Sequence, residues 1–290
     1  MSWRTVVITK RCKLDYRMGY MVIRAEETKR IFIDEVAVLM IENPAVSFTG
    51  CLLEALTEKK VKVIFCDSKH NPMAEIIPYH IAYDSSQKIR RQISWDEDIK
   101  DLVWTEIVAE KIRKQADFLS EKEKQKEAAM LYSYIGQMEH GDVTNREGHA
   151  AKVYFNALFG PDFTRSENCF INSALNYGYS IILSAFNREI VSKGYMTQLG
   201  LFHDNMYNPF NLACDLMEPF RILVDREVLK LSPQKLEKEE KYALCDILNH
   251  IVMIDGNQQT VINAVKIYTG SVFEAINQED ILKLKFYNLL

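Results

Sequence analysis

Two carboxylates interrupt an otherwise apolar helical pattern late in the chain. Asp215 and Glu218 are spaced i, i+3, which places them on one face of a helix. Two buried acids raise the pKa of one of them and cost several kcal/mol unless their charge is compensated. The sequence offers three kinds of compensation: a nearby arginine (Arg221 or Arg226), a bound proton, or a metal ion. Pro219 predicts a kink at the turn that carries the acids, because proline removes a backbone donor.

Two further side chains could join these acids. Glu147 shares a predicted helix face with Ala150 and Tyr154, so it points toward the core, although an acid in the first turn can also simply complement the helix dipole. His203 precedes the acidic helix, and by itself it could be a locally hydrogen-bonded histidine. Carboxylate oxygens with one imidazole suit Mg²⁺ or Mn²⁺, and Mn²⁺ tolerates nitrogen better. Such a metal site acts on phosphate esters by stabilising the leaving oxygen or activating the nucleophile.

Other interpretations of these residues remain open at this point. A di-iron carboxylate bundle needs Glu-x-x-His pairs, whereas Glu147 and His149 are i, i+2 and point apart. His203-Asp204 resembles the HD-type phosphohydrolases. That class needs further partners on neighbouring helices, and the sequence offers His140, His149 and Asp225. In a third interpretation the acids only pair with arginines, as in a non-catalytic DNA-binding scaffold.

Composition sets the broad class. The chain has 290 residues, is 48% hydrophobic and 26% charged, and carries a formal net charge of −4. This weakly acidic balance neither indicates nor excludes a nucleic acid partner, because local patches decide such binding. No apolar run approaches the roughly 20 residues of a membrane helix, and no signal peptide is evident at the N-terminus. We therefore expect a cytoplasmic protein without membrane contact, with its six scattered cysteines reduced.

The elements that must position the candidate residues change character along the chain. Residues 1–78 are predicted to form a small β-rich domain, with strands at 5–9, 20–25, 30–33, 37–42 and 61–65. Thr49 predicts the start of one helix there, with Leu52, Leu53 and Leu56 on one side. Residues 79–94 are predicted to be a linker.

Residues 95–290 are predicted to form a larger all-α catalytic domain, which makes the fold class α+β. Helices are expected at about 96–120, 147–159, 167–187, 209–230, 238–254, 257–268 and 271–284. Asn208 is the predicted N-cap of the acidic helix, with Pro209 at its first position.

Several stretches resemble one protein family. They are EGHAAKVYF (147–155), RSENCFINSALNYGYSII (165–182), LGLFHDNMYNPFNLACDLMEPFR (199–221) and DEVAVLMIEN (34–43). Together they resemble the CRISPR-associated spacer-acquisition integrase, the first of the universal CRISPR-associated proteins, of the type II kind. The third stretch is highly specific, and the resemblance spans nearly the whole chain.

The resemblance implies roles for the candidate residues. Glu147, His203 and Glu218 correspond to the ligands of Mg²⁺ or Mn²⁺, and Asp215 to an accessory catalytic acid. Some members of the family have Asp at the position of Glu218, and either acid can bind the metal. The block ends in Phe220-Arg221-Ile222, where many members have Arg-Pro.

The resemblance also implies a reaction and partners. The 3′-hydroxyl of captured duplex DNA with single-stranded 3′ ends attacks CRISPR repeat DNA by transesterification, and the same site can cut branched DNA. Two homodimers are expected to flank a dimer of the small second CRISPR acquisition protein. DNA contacts would come from basic, amide and aromatic side chains, the last stacking on frayed bases. The candidates are Arg146, Arg165, Asn172, Tyr177, Tyr179, Asn205 and Arg221.

Overall fold

Two four-stranded sheets form the N-terminal part of the computed structural model, which describes residues 4–67, 72–78 and 84–290. The first sheet has the order β1-β5-β7-β8, with β1, β5 and β7 parallel and β8 antiparallel to β7. The second has the order β4-β3-β2-β6. The strands are β1 (Arg4–Ile8), β2 (Lys13–Arg17), β3 (Tyr20–Arg24), β4 (Thr28–Phe32), β5 (Val36–Ile41), β6 (Ser47–Phe48), β7 (Lys62–Cys66) and β8 (Pro72–Glu75).

The central strand β5 is buried on both faces. Leu39 and Ile41 pack into a small core with α1 (Gly50–Glu58), whereas Val38 and Met40 join the core of the helical part. Parallel strands covered on both sides are continuously apolar, as this one is. Strand β5 therefore lies between two cores, and the larger one joins the sheet to the helices.

The rest of the described chain is mostly helical. Its helices are α2 (Ser85–Ile93), α3 (Glu97–Glu121), α4 (Gln125–Gly136), α5 (Arg146–Phe159), α6 (Phe170–Ser192), α7 (Asn211–Leu216), α8 (Arg221–Leu231), α9 (Lys238–Asp246) and α10 (Val261–Gln278). A 3₁₀ turn, Glu218–Phe220, joins α7 to α8. This β-then-α order confirms the predicted fold class. No helix in the described ranges combines the length and apolar composition that crossing a bilayer requires.

The five predicted strands and the helix at Thr49 are confirmed, and the Thr49 side chain accepts a hydrogen bond from the Leu52 amide. Strands β2, β6 and β8 were not predicted, because β2 is highly charged, β6 has two residues and β8 begins with proline. Of the predicted linker, residues 79–83 lie outside the described residues, and α2 occupies most of the remainder. These strands and α2 depend on pairing and packing that local patterns do not specify.

The all-α prediction for the second part is wrong in one place. An antiparallel hairpin, β9 (Ile251–Ile254) and β10 (Asn257–Thr260), replaces the end of one predicted helix and the start of the next. Asp255 and Gly256 at its tip both have positive φ. An Asp-Gly pair between two short runs favours such a hairpin turn, so the signal was present in the sequence. The predicted helices at 257–268 and 271–284 are instead largely one helix, α10.

Candidate active site and metal centre

Glu147 lies in the first turn of α5, where two side chains fix the backbone. The buried carboxylate of Asp142 accepts hydrogen bonds from the amides of Arg146 (2.8 Å) and Glu147 (3.0 Å). Asn145, in the left-handed conformation, caps the Gly148 amide at 3.2 Å. These bonds satisfy donors that a helix start leaves unpaired. The position of Glu147 is therefore set by its own helix cap.

Glu218 lies where the acidic helix breaks. The predicted single helix 209–230 is instead α7, the 3₁₀ turn and α8, so the kink predicted at Pro219 is confirmed. The predicted helix start at Asn208 and Pro209 is wrong, because α7 begins at Asn211 with Phe210 as its N-cap. The side-chain oxygen of Asn208 instead accepts a hydrogen bond from the Phe210 amide at 3.0 Å. The Pro219 carbonyl accepts a hydrogen bond from the buried Tyr287 hydroxyl at 3.0 Å. The break thus aims Glu218 into the space between α3 and α5.

A lysine lies between these two acids. The Lys111 ammonium contacts Glu147 and lies 2.5 Å from Oε2 of Glu218, and Lys111 is only 7% exposed. Arg221 bonds the other oxygen of Glu218 at 2.9 Å. Burial alone would raise the pKa of Glu218, but Arg221 and Lys111 outweigh it and hold that pKa at about 2. Burial likewise opposes the charge of Lys111, yet Glu218 and Glu147 raise its pKa.

Uncompensated, one of the paired acids was expected to have a raised pKa; the pKa of Glu218 is lowered instead, because two cations compensate its charge. Of the compensations considered from the sequence, Arg221 is one that operates, whereas Arg226 pairs with Glu121 at 2.7 Å. Lys111 was not considered. The carboxylate of Asp215 does not share these cations with Glu218, because it accepts hydrogen bonds from the loop that carries His203.

Asp215 anchors the loop that carries His203. Its fully buried carboxylate accepts backbone hydrogen bonds from Leu201 (2.6 Å), Phe202 (3.1 Å) and His203 (3.2 Å). Its Oδ1 also lies 2.5 Å from Nδ1 of His203. This contact raises the pKa of His203, although burial opposes the shift. An imidazole fixed through Nδ1 presents Nε2 outward, which is the arrangement of metal-bound histidines backed by a carboxylate.

The same loop is held tightly from several sides. A Cβ on Gly200 would lie 2.3 Å from the His203 carbonyl oxygen and 2.7 Å from Asp215 Oδ2, so only glycine fits. Phe202 stacks on the buried Trp104 with ring centroids 4.7 Å apart. The Gln92 side chain of α2 bonds the carbonyl oxygens of Met196 and Leu199 at 2.9 and 3.0 Å. The imidazole is therefore positioned by packing and hydrogen bonds.

Beside the acids, one aromatic ring contacts two guanidinium groups. Tyr179 lies 4.7 Å from Arg221 and 5.4 Å from Arg165, measured from ring centroid to guanidinium carbon. Its hydroxyl donates to the buried Asp225, which Tyr154 also contacts at 3.1 Å. Burial raises the pKa of Asp225 to about 6, although both hydroxyls oppose the shift. The Tyr179 ring therefore lies against two positive side chains, of which Arg221 also pairs with Glu218.

The predicted DNA-contact residues divide by accessibility. Asn205 is exposed on the His203 loop, and Arg165, Arg146 and Arg221 are half-buried. Tyr177 is only 2% exposed, with its hydroxyl against Met40 and Cys245, so it cannot stack on a base in this structure.

Tyr179 and Asn172 have structural contacts instead. Tyr179 is also buried, and its ring supports Arg165 and Arg221. Asn172 is buried as well and bonds the carbonyl oxygens of Thr164 and Glu167, each at 2.8 Å, while its own side-chain oxygen accepts from Arg165. Both side chains therefore position Arg165 and are not open to a base. The structure corrects the expectation of base stacking, because the apolar face of α6 takes these rings into the core.

The HD-type interpretation finds little geometric support. Asp204 is exposed, and Asp215 orients His203 in its place. His140 lies 3.9 Å from Asp101, and His149 packs near the Tyr134 ring. His140 and His149 therefore have contacts of their own, and neither contact involves His203 or Asp204.

The candidate residues include the donor types that a divalent cation prefers, two carboxylates and one imidazole. Glu147 and Glu218 already share one positive charge, that of Lys111, and His203 has one ring nitrogen committed to Asp215. Within the described part of the chain, no three His, Cys, Asp or Glu side chains lie close enough together to hold a metal as they stand. The donor set therefore suits Mg²⁺ or Mn²⁺, but Lys111 lies among the donors.

Sequence comparison identifies relatives over almost the full length. The family model "CRISPR associated protein Cas1" matches residues 5–266. The chain is 32% identical over 296 residues to the CRISPR-associated endonuclease Cas1 of Neisseria meningitidis serogroup C, covering 100% of this chain and 97% of that relative. A relative of the same name from Francisella tularensis subsp. novicida is 26% identical over 298 residues, covering 95% and 91%.

Solved structures share the fold. A casposase bound to integration product has a TM-score of 0.78 at 17% identity, covering 97% of this chain and 92% of that one. A Cas1 protein from Thermotoga maritima has a TM-score of 0.72 at 17% identity, covering 96% and 97%. A Cas6-RT-Cas1–Cas2 complex gives 0.77 at 16% identity, with this chain covering 36% of the matched chain. The family model over most of the chain and the 32% identical Neisseria relative show that the chain belongs to the Cas1 family of CRISPR-associated proteins.

Proposed function

We propose that this chain is a metal-dependent DNA integrase and endonuclease of CRISPR adaptation. It would join the 3′-hydroxyl ends of captured DNA to the CRISPR repeat by transesterification. The observation that carries the proposal is the convergence of Glu147 and Glu218 on one cation, beside a His203 that Asp215 holds in a fixed orientation. The relatives named as CRISPR-associated endonucleases and the casposase fold support it.

Glu147, Glu218 and the outward nitrogen of His203 would hold Mg²⁺ or Mn²⁺. When bound, the metal would supply Lewis-acid stabilisation of charge on the scissile phosphate and its oxygens. Asp215 keeps the imidazole in the tautomer with a proton on Nδ1, which leaves Nε2 as the donor atom. Arg221 and Arg165, aligned along Tyr179, would bind DNA phosphates near the reacting atoms.

In the reaction, the 3′-oxygen of the captured strand forms a bond to phosphorus as the bond to the 3′-oxygen of the repeat strand breaks. The protein contributes alignment of the two strands and positive charge, not a covalent intermediate. The substrates would be duplex DNA with single-stranded 3′ ends and repeat DNA. These substrates favour a cytoplasmic location.

We further propose a homodimer as the working unit, with two of them joined by a dimer of the small second acquisition protein. Fold neighbours that include Cas1–Cas2 complexes support this assembly. Residues 1–78 would form one domain and 95–290 the catalytic one.

An integration assay tests the proposed function. The purified chain and its partner protein are incubated with a supercoiled repeat-bearing plasmid and labelled duplex, with Mn²⁺, Mg²⁺ or EDTA. We expect metal-dependent joining, and a loss of at least about 100-fold in Glu147→Gln, His203→Ala and Glu218→Gln, as for removal of one catalytic group. Glu121→Gln, which removes a carboxylate from a surface pair on α3, is the matched control and should retain full activity. Full activity in EDTA would refute the mechanism.

The same assay separates the alternatives. An HD-like nucleotide phosphohydrolase would hydrolyse small phosphate esters and depend on Asp204. A non-catalytic DNA-binding scaffold would bind DNA equally well, with no joining, in wild type and in the Glu147 and Glu218 variants. Such a scaffold would also contain the Glu218–Arg221 ion pair, so this pair does not distinguish it from the proposed integrase.

A further inference from the structure

Lys111 is a buried lysine that contacts two of the proposed metal ligands. It projects from the middle of α3 and is almost fully buried, with its ammonium between Glu147 of α5 and Glu218 of the 3₁₀ turn. A buried lysine is costly unless its charge is matched, and here two carboxylates match it. The ammonium therefore lies between two of the three side chains assigned to the metal.

The charges at this point already balance. Glu147 and Glu218 contribute two negative charges, and Lys111 and Arg221 contribute two positive ones. A divalent cation added between the same carboxylates would leave two uncompensated positive charges in a buried space. One of the resident cations must then give up its contacts.

The geometry singles out Lys111 as that cation. Arg221 contacts Glu218 from the outer side, and its guanidinium is held 4.7 Å from the Tyr179 ring. Lys111 instead touches both acids, and its long flexible stem allows the ammonium to move without displacing α3. Its two carboxylate contacts are the ones that a shared metal would replace.

We propose that Lys111 is a displaceable counter-cation that holds the two carboxylates together in the metal-free protein and competes directly with the divalent metal. This inference rests on the proposed function, because it assumes that Glu147 and Glu218 bind the metal. Lys111 is a positioning residue in this scheme: it keeps the acids paired and sets the affinity of the site for its ion.

Calorimetric titration of Mn²⁺ without DNA tests the competition. We expect Lys111→Met to bind Mn²⁺ at least about tenfold more tightly than wild type, equivalent to about 1.4 kcal/mol. The metal-free variant should also melt at a lower temperature, and Mn²⁺ should raise its melting temperature more than that of wild type. The matched control is Lys62→Met, because Lys62 is also buried and pairs with Glu75 within the N-terminal sheet, not with either candidate metal ligand. It should lose stability without a change in Mn²⁺ affinity.

The outcomes separate this inference from the proposed function. If wild type binds Mn²⁺ and Lys111→Met binds it equally or more weakly, the competition is refuted while the metal site survives. If wild type binds no Mn²⁺ and Glu147→Gln behaves identically, both proposals fail. Equal tightening in the Lys62 variant would also refute the specific role of Lys111.

A second measurement needs no substitution, in case Lys111→Met does not fold. Amine-reactive labelling of wild type, read by mass spectrometry, reports the accessibility of each lysine. Saturating Mn²⁺ should increase labelling of Lys111 several-fold. Lys114, one turn along α3 and paired with Glu110, should stay protected. Unchanged labelling of Lys111 in the metal-bound protein would overturn the proposal.

Discussion

Asp215 is predicted to be the anchor of the His203 loop, and Asp215→Asn tests that role with little change in shape. The carboxylate accepts three backbone hydrogen bonds and contacts the His203 ring, all while fully buried. An asparagine amide retains one acceptor oxygen and replaces the other by a donor. Two of these four bonds must therefore be lost, and the amide NH₂ then faces backbone or ring N–H groups.

The magnitude follows from those contacts. A hydrogen bond to a charged group contributes about 1.5–3 kcal/mol, so losing two should lower the free energy of unfolding by about 3 kcal/mol or more. Strand transfer should fall by about 10–100-fold at a temperature where the variant is folded, as for loss of a group that orients a metal ligand. Asp204→Asn is the control, because Asp204 lies exposed on the same loop and its change should stay within about 0.5 kcal/mol.

Urea unfolding followed by circular dichroism measures the stability difference. Nitrogen-15 NMR of the imidazole measures whether the proton stays on Nδ1 of His203. If Asp215→Asn unfolds at the wild-type urea concentration and keeps the same tautomer, the assignment of Asp215 as anchor is refuted. If stability falls but the tautomer and activity are unchanged, Asp215 supports only the loop.

Three further predictions follow from individual contacts. Gly200→Ala should lower the free energy of unfolding by more than about 2 kcal/mol, because the added Cβ would lie 2.3 Å from the His203 carbonyl oxygen. Gly136→Ala is the control and should cause no such loss in thermal melts, because the space around its Cβ is open. The pKa of Asp225 is about 6 in the folded protein against an ordinary 3.8, so the folded state binds the proton more tightly than the unfolded state. The free energy of unfolding should therefore fall by about 3 kcal/mol as pH rises from about 4 to above 6. Urea titrations at a series of pH values measure this slope, and Asp225→Asn should abolish it. Arg165→Ala should weaken DNA binding and reduce its salt dependence by about one phosphate contact in fluorescence anisotropy, while Arg226→Ala, which breaks the surface pair with Glu121, should leave both unchanged.

The candidate residues of the site could be selected from local sequence. Glu147, Asp215 and Glu218 stand out because acids interrupt apolar helical patterns, and burying them without partners is costly. His203 stands out because it lies just before the helix that carries two of these acids. The kink at Pro219 follows from the missing backbone donor, and the Thr49 cap from its side-chain oxygen. These features depend on one residue and its near neighbours, so no tertiary information is needed.

Lys111 was missed for a physical reason. The helix predicted at about 96–120 has apolar residues separated by charged ones, a pattern that indicates a helix exposed on one side. In the structure α3 is covered by several helices, and Lys111, four residues after Ile107, occupies the buried stripe. A lysine at an apolar position was the available signal, but its partners are 36 residues away at Glu147 and farther at Glu218.

The sequence by itself determined which acids and which histidine could form the candidate site, that the acidic helix breaks at Pro219, and that strands precede helices. Only the tertiary structure decided which charges meet: Lys111 between the acids, Asp215 beneath His203, and Tyr179 beside two arginines. It also decided that Tyr177 is core and that residues 257–260 pair as a strand. The reason is that local patterns set conformation and the buried face, whereas partners across a core depend on how whole helices pack.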